Sequence, residues 1–103
     1  MVRVEIIGNQ ILLQELLDVI EEKLPQQWYT VLPVLFAKGK KGKANGDGVW
    51  METNFVCLMF VKKIEDVSAL QSICTAIKKH NTKNSLTIFT SEVVFVDSSE
   101  NLS

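Results

Sequence analysis

The stretch Asn54 to Val61, NFVCLMFV, constrains this chain more than any other. It is too short for a typical buried helix, rich in β-branched and aromatic residues, and bounded by polar ones, so it reads as a strand. Successive side chains of a strand point to opposite faces. Phe55, Cys57, Met59 and Val61 therefore share one face, and Val56, Leu58 and Phe60 share the other. Both faces are apolar, whereas an antiparallel strand with one wet face alternates apolar and polar. The fold must cover this strand on both sides, with its own elements or with another copy.

A second apolar run, Trp28 to Phe36 (WYTVLPVLF), precedes it and reads as its neighbour. Between the two lies Ala37 to Thr53, AKGKKGKANGDGVWMET, which holds four of the five glycines, four of the eleven Lys and Arg residues and one of the two tryptophans. Hairpin connections usually take two to five residues, so an insert of this length points to function.

The remaining elements are read from periodicity. Met1 to Ile7 alternates as a first strand, Gly8 is expected to break it, and Asn9 is placed to cap the first helix. From Ile11 to Leu24 the residues Leu12, Leu13, Leu16, Leu17 and Ile20 recur at helical spacing against Glu15, Asp18, Glu21 and Glu22, and Pro25 stops the helix. A second helix is expected between Glu65-Asp66 and Lys78-Lys79-His80, whose charges suit the two ends of a helix dipole. Its apolar stripe is Val67, Leu70, Ile73, Cys74 and Ile77. Leu86 to Thr90 is expected as a fourth strand, with a short fifth at Glu92 to Val96. Residues 1–97 make one domain in this reading, and 98–103 a loose polar tail.

The order is β-α-β-β-α-β, an α+β ferredoxin-like sandwich with an antiparallel sheet and a long connection between its second and third strands. Two helices cover one face of such a sheet. The other face keeps half of the apolar residues of the central strands, a patch a soluble monomer rarely exposes. A homo-oligomer packed sheet against sheet is therefore expected.

In this arrangement the residues resemble a family, the nitrogen-regulatory PII proteins and, more closely, their PII-like relatives. The order of elements and the position of the insert agree over nearly the whole chain. In PII proteins a stretch of the form G-x-G-R-x-x-G opens the mobile T-loop; here Ala37, Lys38, Gly39, Lys40, Lys41 and Gly42 stand there. The pattern G-x-x-x-W-x-x-x-N of the PII-like relatives is matched by Gly46, Trp50 and Asn54, and the Ile88-Phe89 pair also agrees. The resemblance implies a cytoplasmic homotrimer with ligand sites in clefts between subunits. It also implies a loop that changes conformation with the ligand and touches a protein target, a transporter or an enzyme. The chain departs from the family at Asn81 to Ser85 and at Ser91, Glu92 and Asp97, where PII proteins place a glycine-rich, lysine-containing turn and basic residues for nucleotide phosphates. CutA-type trimers, which handle metals, share the architecture and supply the alternative reading.

Lys38, Lys40, Lys41 and Lys43, interleaved with Gly39 and Gly42, can cradle an anion, since glycine lets backbone N–H groups approach and lysine adds charge. The expected ligand-binding residues are Gly39, Lys40, Lys41, Gly42, Lys43 and Trp50, and the expected ligand is a small anion such as ATP, ADP or AMP. The competing reading is a solvated hairpin tip, with Trp50 as a structural anchor. Trp28 is assigned to the core or to a subunit interface.

Other functions lack support. The formal net charge of −1 gives no global attraction to nucleic acid. No apolar run approaches the roughly 18–20 residues that span a bilayer, and the N-terminus lacks the pattern of a signal peptide, so a cytoplasmic location is expected. Cys57 and Cys74 match no metal or redox spacing and read as core thiols. His80, the single histidine, reads as a helix-end cation. Asp47 and Glu52 have no spacing that demands a metal, and with no nucleophile and base set, neither catalysis nor a metal site is expected.

Overall fold

A computed structural model describes residues 1–34, 53–94 and 96. Its elements are β1 (Val2–Asn9), a 3-10 turn (Gln10–Leu12), α1 (Leu13–Lys23), β2 (Thr30–Val34), β3 (Asn54–Val61), α2 (Ile64–His80) and β4 (Leu86–Glu92). The sheet is four-stranded and antiparallel in the order β2-β3-β1-β4, the ferredoxin-like order.

The periodicities decide which faces are buried. On β3 the residues Phe55, Cys57, Met59 and Val61 are sealed from solvent, together with Val4 and Ile6 of the neighbouring β1. Leu16 and Ile20 of α1 and Val67, Leu70, Ile73, Cys74 and Ile77 of α2 close over them as one core. Val56 and Leu58, on the other face of β3, are half-buried, and Phe60 is 50 % exposed. Phe55 alone would cost about 3–5 kcal/mol if cut to alanine in a core of this kind.

Three expectations change. Gly8 does not break β1; it is paired within the strand to Phe55 on one side and Leu86 on the other. A Cβ there would lie 2.7 Å from Leu86 Cδ1, 2.9 Å from the Ser85 carbonyl oxygen and 3.2 Å from Phe55 Cε2. Glycine is required by close approach between strands, a packing reason that local sequence does not reveal. The fifth strand is absent among the described residues. Glu92 instead ends β4, because the eight-residue β1 offers it a partner in Val2, and the Val93 N–H then donates to the Met1 carbonyl. Of the two placements expected for Trp28, core or subunit interface, the core is excluded: it is 89 % exposed within the chain.

Asn9 caps as expected, its Oδ1 accepting the Ile11 N–H at 3.0 Å, although a 3-10 turn precedes α1. Strand β2 starts at Thr30, two residues into the apolar run that encodes it; Leu35 and Phe36 lie outside the described residues, as does the tail 98–103. Just before β2, Tyr29 donates its phenol hydrogen to Glu21 Oε1 of α1 at 2.6 Å. That hydrogen bond, aided by burial and by the negative charge of Glu21, pushes the phenol up to about 12.

Both cysteines are free and buried. Burial pushes each thiol up to about 11, and at Cys74 the neighbouring Cys57 adds to the effect. Thiolates are disfavoured at both positions, so neither behaves as a nucleophile.

This packing has three measurable outcomes. Gly8→Val overpacks the β1–β4 seam and lowers unfolding free energy by about 1–3 kcal/mol, read as a lower denaturation midpoint in urea. Tyr29 is the single tyrosine, so ultraviolet absorbance titration reports it alone. Its folded value lies above the ordinary 10, so the stability it contributes is present below pH 10 and is lost as pH rises toward 12. Glu21→Gln is expected to bring the titration down towards 10. Cys57 and Cys74 are expected to resist a thiol reagent at pH 8 in the folded protein and to react at once in denaturant.

Candidate functional site

Four element ends meet at one edge of the sandwich. Helix α1 stops at Lys23, where Leu24 and Pro25 turn the chain. Gln27 then spans the gap between strands, donating from Nε2 to the carbonyl oxygens of Trp28 at 2.9 Å and Phe60 at 3.1 Å. Strand β3 ends at Val61, and Lys62 and Lys63 carry the chain into α2.

These ends enclose an open cleft of about 400 Å³, lined by Lys23, Leu24, Pro25, Gln26, Gln27, Phe60, Lys62, Lys63 and Asp66. Its size falls in the range of small-molecule sites. Three lysines face one aspartate, so the field favours an anion. The first turn of α2 adds the positive end of a helix dipole, and the carbonyl of its N-cap residue, Lys63, accepts the Asp66 N–H at 3.0 Å. The exposed Phe60 ring offers an apolar surface, and Asp66 can accept from hydroxyl groups. A ligand with an anionic group, a flat ring and hydroxyls matches this set.

The opposite end of the β2–β3 hairpin is the root of the lysine- and glycine-rich connection. There Val34 and Asn54 are paired in the ladder, and Thr53 accepts the Gln10 N–H at 2.8 Å. Asn54 is 6 % exposed, and its Oδ1 is a buried acceptor with no hydrogen-bond partner among the described residues. An orphaned acceptor costs about 1–3 kcal/mol, which a donor delivered by a ligand or another chain would recover. Root and cleft lie at opposite ends of β3, roughly 23 Å apart at about 3.3 Å per residue. One compact ligand cannot touch both within a single chain.

Gly39, Lys40, Lys41, Gly42, Lys43 and Trp50, and likewise Asp47 and Glu52, lie outside the described residues. The cleft lysines are hidden in the sequence because Lys23 and Lys62 are thirty-nine positions apart and meet through topology. A signal is present all the same: each marks the end of an apolar element, and antiparallel connectivity brings those ends to the same edge.

The turn before β4 is self-contained. Lys78 Nζ donates to the carbonyl oxygens of Thr82 and Asn84, and Asn81 Nδ2 donates to the Ile77 carbonyl at 2.8 Å. Asn81 thus serves the C-terminal end of α2, where carbonyls lack helical partners, while Lys78 ties down the turn that follows it. His80 is the last residue of that helix, as its reading as a terminal cation requires. Among the described residues no cluster of three or more His, Cys, Asp or Glu is arranged to hold a metal, and no helix is long and apolar enough to cross a membrane.

No family model and no curated protein matches the sequence. Solved structures match the fold. CPII from Thiomonas intermedia K12, bound to ADP, AMP and acetate, aligns with a TM-score of 0.65 at 17% identity, over 96% of this chain and 91% of that one. The same protein, a nitrogen regulatory PII-like protein, bound to ADP, AMP and bicarbonate aligns at 0.66 and 18% identity, over 89% and 88%. The de novo designed protein Foldit4 aligns at 0.54 and 16% identity, over 90% and 98%. The chain therefore has the fold of PII-like proteins, and the designed protein illustrates that this fold exists without any evolved function.

Proposed function

We propose that this chain is a PII-like regulatory protein: a non-catalytic, cytoplasmic homotrimer that binds a small anionic ligand, an adenine nucleotide, in clefts between subunits. It signals occupancy to a protein target, a transporter or an enzyme, through residues 37–53. The observation that carries this reading is the lysine cleft of Lys23, Lys62 and Lys63 beside Phe60, in a fold shared with CPII, which has been solved with ADP, AMP and bicarbonate. Phe60 would take the base, Lys62 and Lys63 the phosphates, and Asp66 the ribose hydroxyls.

The separation of cleft and loop root supports a site shared between chains. A ligand held by Lys62 and Lys63 of one subunit reaches Gly39, Lys40, Lys41, Gly42 and Lys43 when these come from a neighbour. Trp50 would then act as the hinge or stacking contact. Ordering a glycine-rich segment loses backbone entropy, of order 1–2 kcal/mol per residue, so ligand contacts decide whether it orders. That balance makes the loop a switch.

Native mass spectrometry with ADP, AMP or ATP tests the reading. The expected result is a trimer that takes up to three copies of one nucleotide. Lys62→Ala with Lys63→Ala, and separately Lys40→Ala with Lys41→Ala, should weaken binding about tenfold or more, roughly 1.4 kcal/mol, and leave the trimer intact. A trimer that takes no nucleotide would refute the ligand assignment, and loss of the trimer in either variant would reassign those lysines to assembly.

A further inference from the structure

One polar side chain in the wall of the lysine cleft has its orientation fixed by chemistry. Gln27 closes a turn in which its backbone N–H donates to the Leu24 carbonyl at 3.0 Å, with Pro25 at the second position. Pairing between β2 and β3 ends at Thr30 and Leu58. Two residues further, where Trp28 and Phe60 stand in step, the Gln27 amide takes the place of backbone bonds. Its Nε2 carries two hydrogens, and the carbonyl oxygens of Trp28 and Phe60, at 2.9 and 3.1 Å, accept them. A carbonyl oxygen cannot donate, so the amide cannot be turned over. Its Oε1 is therefore a fixed acceptor, and no group among the described residues donates to it. Gln26, also in the cleft wall, is exposed and has no such bridge among the described residues, so its amide can present either end.

We propose that Gln27 determines base specificity in this cleft: it selects a base with an exocyclic amino group, as adenine has at position 6, over one with a carbonyl oxygen there, as hypoxanthine and guanine have. The inference rests on the reading that the cleft binds a nucleotide with its base on Phe60, and it names the group that tells one base from another. Stacking on an aromatic ring accepts any base, because every base has a π-face. The lysines answer to phosphate as point charges. Discrimination therefore falls to a held polar group. An amino group donates to Oε1, whereas a carbonyl oxygen sets two acceptors against each other and leaves both unpaired. Both amide hydrogens are anchored before any ligand arrives, so little rotamer freedom is lost on binding.

The test is isothermal titration calorimetry of the wild-type protein with ADP, IDP and purine riboside 5′-diphosphate, which carries only hydrogen at position 6. ADP is expected to bind at least about tenfold tighter than IDP. The purine analogue is expected in between, because it loses the donor without gaining an opposed acceptor. Gln27→Met keeps the length of the side chain and removes the amide. It is expected to weaken ADP binding and bring the ADP-to-IDP ratio close to one, with circular dichroism confirming that it folds. A clamp that only ties the strand ends together would weaken all three nucleotides alike and keep the ratio; that result would overturn the proposal, as would equal binding of all three by the wild type. Should Gln27→Met unfold, the wild-type series still decides. A wild-type protein that takes up none of the three overturns the nucleotide reading and this assignment with it, whereas uptake without preference removes this assignment alone.

Discussion

Everything in this fold depends on burying one face of β3. Phe55, Cys57, Met59 and Val61 present four consecutive inward side chains with no polar atom among them except a thiol, and all four are sealed. Burying apolar surface contributes roughly 25 cal/mol per Å², so a row of this kind dominates what the rest of the chain must satisfy. The helices cover it, and β1 extends the covered surface with Val4 and Ile6. The pairing of β3 with both β1 and β2 then satisfies the backbone groups that burial would otherwise leave stranded.

That burial also creates the functional geometry. Because β3 is pinned along its length, its two ends are held apart, with a cationic cleft at one and the root of a glycine-rich connection at the other. The same constraint leaves the outward residues Val56, Leu58 and Phe60 without cover from the chain's own helices. Cleft, loop root and open face are therefore three consequences of a single strand that is apolar on both sides.

Much of this is legible in the residues. The bounds of β3 are marked by the change at Asn54 and Lys62, and those of α2 by carboxylates at its start and cations at its end. What is not legible depends on distant neighbours. Gly8 looks like a strand breaker until Leu86 and Ser85 are seen crowding it. The end of β4 is set by the length of β1, which no local pattern in Leu86 to Val96 reveals. Trp28 looks like core by type, yet it precedes β2 in step with Thr30 and Leu32, whose face is turned away from the helices. The cleft is hidden for the same reason, since Lys23 and Lys62 become neighbours through topology alone.

The strand order has a consequence for how the chain is made. Strand β1 is synthesised first but lies between β3 and β4, which are synthesised last. Its apolar residues Val4 and Ile6 leave the ribosome long before any strand exists to pair with them. Local helix formation in α1 can begin at once, whereas the sheet closes after Leu86 to Glu92 has emerged, a distant pairing of the kind that slows folding. Both edges of β1 are unpaired until β3 emerges and one remains so until β4 does, so the window for mistaken pairing with other nascent chains is set by translation speed rather than by the stability of the finished protein.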